Sequence, residues 1–411
     1  MSTEVEAALA AAFREEWGQV VATLIRVTGD WDLAEECAQD AFAKALQRWP
    51  VDGIPRRPGA WLTTTARNRA TDRLRREAVG AAKLQEVAML APPEEPVADD
   101  ESGVGDDRLR LIFTCCHPAL PFEARIALTL RTLAGLTTAE IGTAFLVPES
   151  TMSQRLVRAK RKIRNAGIPY RVPPAHLLPE RTNAVLAVLY LLFNEGYAAT
   201  SGADLVRVNL SAEAIRLARV LARLMPDEPE VIGLLALMLL QDARRDARVD
   251  AAGDLVLLED QDRSRWDTAE IEEGVGLLET ALRRRRPGAY QLQAAIAACH
   301  ATAAKASDTD WAQIAALYGR LAEVVPSAVV RLNRAVAVAM ADGPAAGLAL
   351  VDELAESGEL AGYRLLPATR ADLLRRLDRR VEAAAAYREA LELVATDAER
   401  RYLERRLGEV S

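Results

Sequence analysis

Five times between residues 214 and 390 the chain sets out one spaced triad, with good but imperfect fidelity: a first residue, one four on that is bulky in all but the first set, and an apolar one three further. The sets are Ala214/Ala218/Leu221, Gly274/Leu278/Ala281, Ile314/Tyr318/Leu321, Gly347/Val351/Leu354 and Ala383/Tyr387/Ala390. A small residue opens all but the third. Pro226, Pro287 and Pro326 follow three of the sets at five or six residues. Steps of four and three keep a side on one helix face, small residues let paired helices approach, and proline after a second helix starts the next unit. A chain written this way folds as stacked helices. Aromatics at 5% and abundant Ala, Leu and Arg agree, so the expected class is all-α.

Two breaks divide the chain. Residues 91–107, APPEEPVADDESGVGDD, carry seven acids, no base, three prolines and two glycines, the composition of an unfolded linker. A proline-containing joint, Ile168-Pro169 to Leu178-Pro179, follows the next helical zone. The expected organisation is a helical domain over 1–90, an acidic linker over 91–107, a second domain over 108–166 and a repeat domain over 167–411. Spacings of about 33–40 residues over the last four triads resemble degenerate tetratricopeptide (TPR) repeats. The match is good over 265–395 and poor over 180–264, and Asp242–Asp267 reads as an inserted loop.

The rest of the composition excludes classes. No run reaches the roughly 18–20 apolar residues of a membrane helix, and the acidic start lacks the pattern of a signal peptide. Cys37, Cys115, Cys116 and Cys299 are too few and too scattered for a disulfide framework, which fits a reducing, cytoplasmic setting. Adjacent Cys115 and Cys116 with His117 lack zinc-site spacing and read as buried thiols; no metal or other cofactor is expected. The sequence holds neither a glycine-rich phosphate loop nor a catalytic motif, so no enzyme is expected.

Charge is local rather than global. Net charge is −7, and residues 1–165 carry 22 basic against 23 acidic side chains, yet two short stretches are strongly basic. In the second, Thr137 and Glu140 set a capping box, Leu146-Val147 makes a turn, and Pro148 is placed to open the next helix. That helix, ESTMSQRLVRAKRKIR, puts Met152, Leu156, Ala159 and Ile163 on one apolar stripe and Ser153, Gln154, Arg155, Arg158, Arg161 and Lys162 on the other face. The pattern is a helix-turn-helix, whose second helix reads base edges in the major groove while cations hold phosphates. The first stretch, AWLTTTARNRATDRLRRE, carries five arginines and two acids on an amphipathic helix. An acidic helix lies ahead of it.

This order resembles that of extracytoplasmic-function (ECF) sigma factors of RNA polymerase, in which regions two and four are joined by a linker. The family's core-binding pattern is matched by Ala34-Glu35-Glu36-Cys37-Ala38-Gln39-Asp40-Ala41-Phe42. Its promoter-melting pattern is matched by Trp61-Leu62, Ala66-Arg67-Asn68, Asp72 and Leu74-Arg75. Region four is matched by Leu136-Thr137, Glu140-Ile141, Thr151–Leu156 and Arg158-Ala159-Lys160, with Gly142 for the usual Ala and Ser150 for the usual Gly. A repeat-bearing C-terminal half, and the Cys115-Cys116-His117-Pro118 segment, resemble one subgroup of the family.

The resemblance implies roles. Glu36, Gln39 and Asp40 would bind the β′ clamp helices of the polymerase core. Arg67, Asn68, Arg69, Arg73 and Arg76 would hold the minus-ten element, where melted bases are captured by pockets and cationic rims. Ser153, Gln154, Arg155, Arg158 and Lys162 would read the minus-thirty-five element, with the β flap as a further polymerase contact. The acidic linker would thread a basic polymerase channel, and a small DGPF/YCII-related protein is a candidate partner. The repeats would modulate activity. The rival reading is a helix-turn-helix regulator with a repeat-based sensor that binds duplex DNA without polymerase; a more distant one is a scaffold whose basic helices bind an acidic protein.

Overall fold

A computed structural model describes residues 3–85, 107–145, 147–198, 205–248, 250, 256–394 and 397–410. The acidic segment 91–107 lies, apart from Asp107, outside them. All regular structure among the described residues is helical, and two compact units result: Met1–Leu189 and Tyr190–Ser411.

The first unit opens with α1 (Thr3–Thr28), α2 (Trp31–Asp52) and α3 (Pro58–Gln85). Asp30 starts α2, its carboxylate accepting from the backbone N–H groups of Asp32 and Leu33 at 2.8 and 3.0 Å. Pro50 is carried within the last turn of α2, and Gly53 closes the helix at φ 85°. Trp17, Val20, Val21 and Leu24 of α1 pack with Ala34, Ala38 and Ala45 of α2 and Leu62, Ala66 and Ala70 of α3 as one buried core.

The chain resumes with α4 (Asp107–Cys115) and α5 (Phe122–Thr129), which runs into a π-helical turn, Leu130–Ala134, and then α6 (Thr138–Ala144) and α7 (Glu149–Asn165). Gly135 ends the π turn at φ 77°, where a Cβ would meet the rings of Phe13 and Trp17 at 2.8–3.0 Å. Only glycine fits both the left-handed backbone and that contact. Cys115 and Cys116 are buried against Thr132 and Thr129, at 3.3 and 3.7 Å, and burial pushes the Cys116 thiol up to about 11. These thiols act as small packing groups.

The second unit begins within α8 (Leu178–Ala198), after Leu189, and continues through α9 (Leu205–Leu224), α10 (Pro229–Asp242), α11 (Thr268–Leu282), α12 (Ala289–Ala301), α13 (Trp311–Val324), α14 (Ala328–Asp342), α15 (Pro344–Ser357), α16 (Leu365–Arg376), α17 (Arg380–Leu393) and α18 (Asp397–Val410). From α10 onward each helix packs on the next, and α10 also meets α12, as α14 meets α16. The five triads fall on α9, α11, α13, α15 and α17, with every member buried except Tyr318, which is half-buried. At Gly347 a Cβ would come within 2.3 Å of the Ala339 methyl and 2.7 Å of the Ala335 carbonyl, so the small residues are there for close approach of α14 and α15.

Between α10 and α11 an acidic group is held where charge is costly. Glu270 sits near Asp242 and Asp267; Arg245 and Arg219 oppose them, but burial and the two carboxylates raise the Glu270 carboxyl to about 7. A carboxyl raised above its ordinary value in the fold loses its proton first in the unfolded chain, so stability falls as pH rises from about 4.5 to about 7. Glu270→Gln is therefore expected to match the parent in thermal melts near pH 4.5 and to exceed it increasingly up to pH 8; a constant offset would refute the assignment.

Candidate nucleic-acid interface

The start of α6 is capped as the sequence predicts, while Leu146 of the expected Leu146-Val147 turn lies outside the described residues. Thr137 N–H donates to the Glu140 carboxylate at 2.7 Å, and Glu140 N–H donates back to the Thr137 hydroxyl at 3.2 Å. Pro148 stands one place earlier than expected, as the cap rather than the first residue of α7. Gly142 has a reason: a Cβ there would lie 2.9 Å from the Val147 carbonyl, whose own N–H donates to Gly142 O at 2.9 Å. The glycine lets the turn close tightly.

Met152, Leu156, Ala159 and Ile163 of α7 are all buried. Ser153, Gln154, Arg158 and Lys162 are exposed and Arg155 is half-buried, so the five side chains expected to read the minus-thirty-five element share the outer part of the helix. Arg158 reaches the Gln154 amide oxygen at 3.5 Å.

On α3, Arg67, Asn68, Arg69 and Arg76 are exposed and Arg73 is half-buried. On α2, Glu36 and Gln39 are exposed and Asp40 is half-buried. The two sets, expected as separate sites, meet. Arg69 Nε donates to Asp40 at 2.8 Å, and Arg73 pairs with Glu36. Arg76 turns back to the Asp72 carbonyl at 3.2 Å.

Sequence reasoning missed a second constellation. Glu35, next to the expected polymerase-binding Glu36, is buried, and so is Lys160 of α7. Lys160 Nζ lies 2.8 Å from Asp32 Oδ1 and 2.8 Å from Glu35 Oε1, the latter an ion-pair contact with poor hydrogen-bond angles. Arg131 Nε donates to Glu35 Oε2 at 3.0 Å. Arg26 reaches Asp107 at 3.0 Å, and the Tyr170 hydroxyl donates to Ala22 O at 2.8 Å. A cue was present, because Lys160 stands four after Leu156 and three before Ile163, on the apolar stripe. These contacts bind α1 and α2 to the π turn, α4 and α7.

A reciprocally capped helix-turn-helix with a polar outward face, in one unit with a helix bearing exposed arginines and an asparagine, defines a DNA-binding transcription factor. Comparison with known proteins gives its family. The family model described as Sigma-70 region 2 matches residues 13–79, and Sigma-70, region 4 matches residues 110–163. The ECF RNA polymerase sigma factor SigL of Mycobacterium tuberculosis is 32% identical over 161 residues, 39% of this chain and 89% of SigL. The ECF RNA polymerase sigma factor SigK of Mycobacterium bovis is 31% identical over 167 residues, 39% of this chain and 86% of SigK. The chain belongs to the ECF family of RNA polymerase sigma factors. As such it acts with the polymerase core and promoter DNA in promoter recognition and transcription initiation. Its additional half is similar to a family of unknown function, DUF6596, over residues 181–282. The uncharacterized protein R00370 of Rhizobium meliloti is 45% identical over 405 residues, 96% of this chain and 93% of that protein. No solved structure matches significantly, and among the described residues no helix is long and apolar enough to cross a membrane.

Proposed function

We propose that this sigma factor works in the cytoplasm and divides its labour as follows: residues 1–90 dock on the core and hold the minus-ten element, 91–107 thread the polymerase channel, 108–166 read the minus-thirty-five element, and 167–411 modulate the outcome. The observation that carries the reading is the capped α6–α7 pair with its outward row Ser153, Gln154, Arg155, Arg158 and Lys162. Early residues of such a helix reach base edges, and the later cations hold phosphates and the register.

Glu36, Gln39 and Asp40 bind the β′ clamp helices, and Arg67, Asn68, Arg69, Arg73 and Arg76 hold the melted strand. The Arg69–Asp40 and Arg73–Glu36 pairs support a coupling between the two events. Exposed ion pairs are worth only about 0.2–1 kcal/mol, so a basic coiled coil taking the two acids would release two cations to nucleic acid at little cost. The β flap and a small DGPF/YCII-related protein complete the partners of this reading.

Run-off transcription with purified core enzyme and a promoter library tests it. The double variant Gln39→Ala, Asp40→Ala is expected to lower core binding in pull-downs at least tenfold and transcript in proportion. A factor acting without polymerase would show no dependence on either residue.

A further inference from the structure

The second unit contains a cavity of about 660 Å³. Five helices supply its wall: His300 from α12, Trp311 from α13, Val336 and Met340 from α14, Ala368 from α16 and Tyr402 from α18. Leu257 and Leu258, from the segment between α10 and α11, close another side. The volume lies within the range of small-molecule sites, roughly 300–1,000 Å³, and the lining is mostly apolar.

The charges around it are already used. Two acids and two arginines line the cavity, Glu259, Asp372, Arg263 and Arg376. Arg376 lies 2.7 Å from Asp372 and 3.9 Å from Glu259. Arg263 donates to the His300 and Ala303 carbonyls at 2.6 and 2.7 Å and lies over the Trp266 ring. A cationic ligand would have to displace Arg376 from Asp372, and an anionic one would have to draw Arg263 off the two carbonyls it holds. His300 differs: its ring stands edge-on to Trp311 at 5.1 Å, with no hydrogen-bond partner among the described residues. Burial and the nearby Arg244 and Arg263 hold its pKa down at about 4, so it is a neutral imidazole with one donor and one acceptor near pH 7.

We infer that this cavity is a binding site for an uncharged, largely apolar small molecule bearing one hydrogen-bonding group, which His300 engages between Trp311 and Met340. The site does not depend on how the first unit meets DNA.

A pair of dyes that differ by one sulfonate tests both parts. N-phenyl-1-naphthylamine is apolar and neutral with a single N–H; 1-anilinonaphthalene-8-sulfonate adds the charge. The full chain is expected to bind one neutral dye with enhanced fluorescence, and the sulfonate at least tenfold more weakly. Ala368→Trp and Met340→Trp, which fill the cavity from different helices, should each weaken the neutral dye at least tenfold with unchanged helicity by circular dichroism; His300→Ala should weaken it severalfold. Equal binding of both dyes, a stoichiometry other than one, or filled variants that bind like the parent would overturn the site. Should both tryptophan variants lose helicity, charge discrimination and stoichiometry of the parent chain still decide.

Discussion

Glu35→Ala will destabilise the first unit by about 3 kcal/mol, the largest single loss expected from any charged residue of the region-two helices. Glu35 and Lys160 expose only 8% and 9% of their side chains, and Arg131 17%. Taking one partner from a buried pair leaves the other charge desolvated, which costs about 3–5 kcal/mol. The lower end applies because Lys160 keeps Asp32, whose side chain is 74% exposed, at 2.8 Å. Urea unfolding followed by tryptophan fluorescence reports the loss, since Trp17, Trp31, Trp49 and Trp61 all lie in this unit. Two comparisons separate this mechanism from a general loss of charge. Glu36→Ala, one residue on and exposed, should stay within about 0.5 kcal/mol. Glu35→Leu combined with Lys160→Met should recover most of the stability, because an apolar pair avoids the desolvation altogether. An effect of Glu35→Ala no greater than that of Glu36→Ala would refute the buried clasp.

The clasp also marks where sequence reading stops. The apolar stripe of α7, the capping box and the five triads were legible because each is written within a few residues: steps of three and four fix a helix face, and Thr137 with Glu140 fix a start. The choice of partner across the chain is not local. Asp32 and Lys160 stand 128 residues apart, and Asp40 and Arg69 stand 29 apart. Sequence spacing therefore gave Glu36, Asp40, Arg69 and Arg73 their faces but not each other. The π turn was equally hidden, because the need for Gly135 comes from Phe13 and Trp17, which lie far away in sequence. Charges on an apolar stripe are the one local trace such contacts leave, and Lys160 carried it.

Locking the two sigma regions together will reduce promoter-dependent transcription at least tenfold while leaving core binding in place. The reason is size. A compact unit of 189 residues has a radius of gyration of about 16 Å, a span of roughly 40 Å. Minus-ten and minus-thirty-five elements are centred about 25 base pairs apart, roughly 85 Å along B-form DNA. If α3 holds the minus-ten element and α7 reads the minus-thirty-five element, as proposed, then with α7 held against α2 through Lys160 they cannot reach both, and the contacts from α4, the π turn and α7 to α1 and α2 open on the promoter. Arg26 and Asp107, 3.0 Å apart across this contact, mark a place for the lock. Cysteines there, in a Cys299→Ser background, can be joined by a short bismaleimide with a reducible centre; the remaining cysteines are buried. The joined protein should still bind core polymerase through α2 yet give little run-off transcript, and reduction of the linker should restore it. Full transcription from the joined form would mean that the packed unit reads its promoter without opening, and the separate assignment of α3 and α7 to the two elements would fall with it.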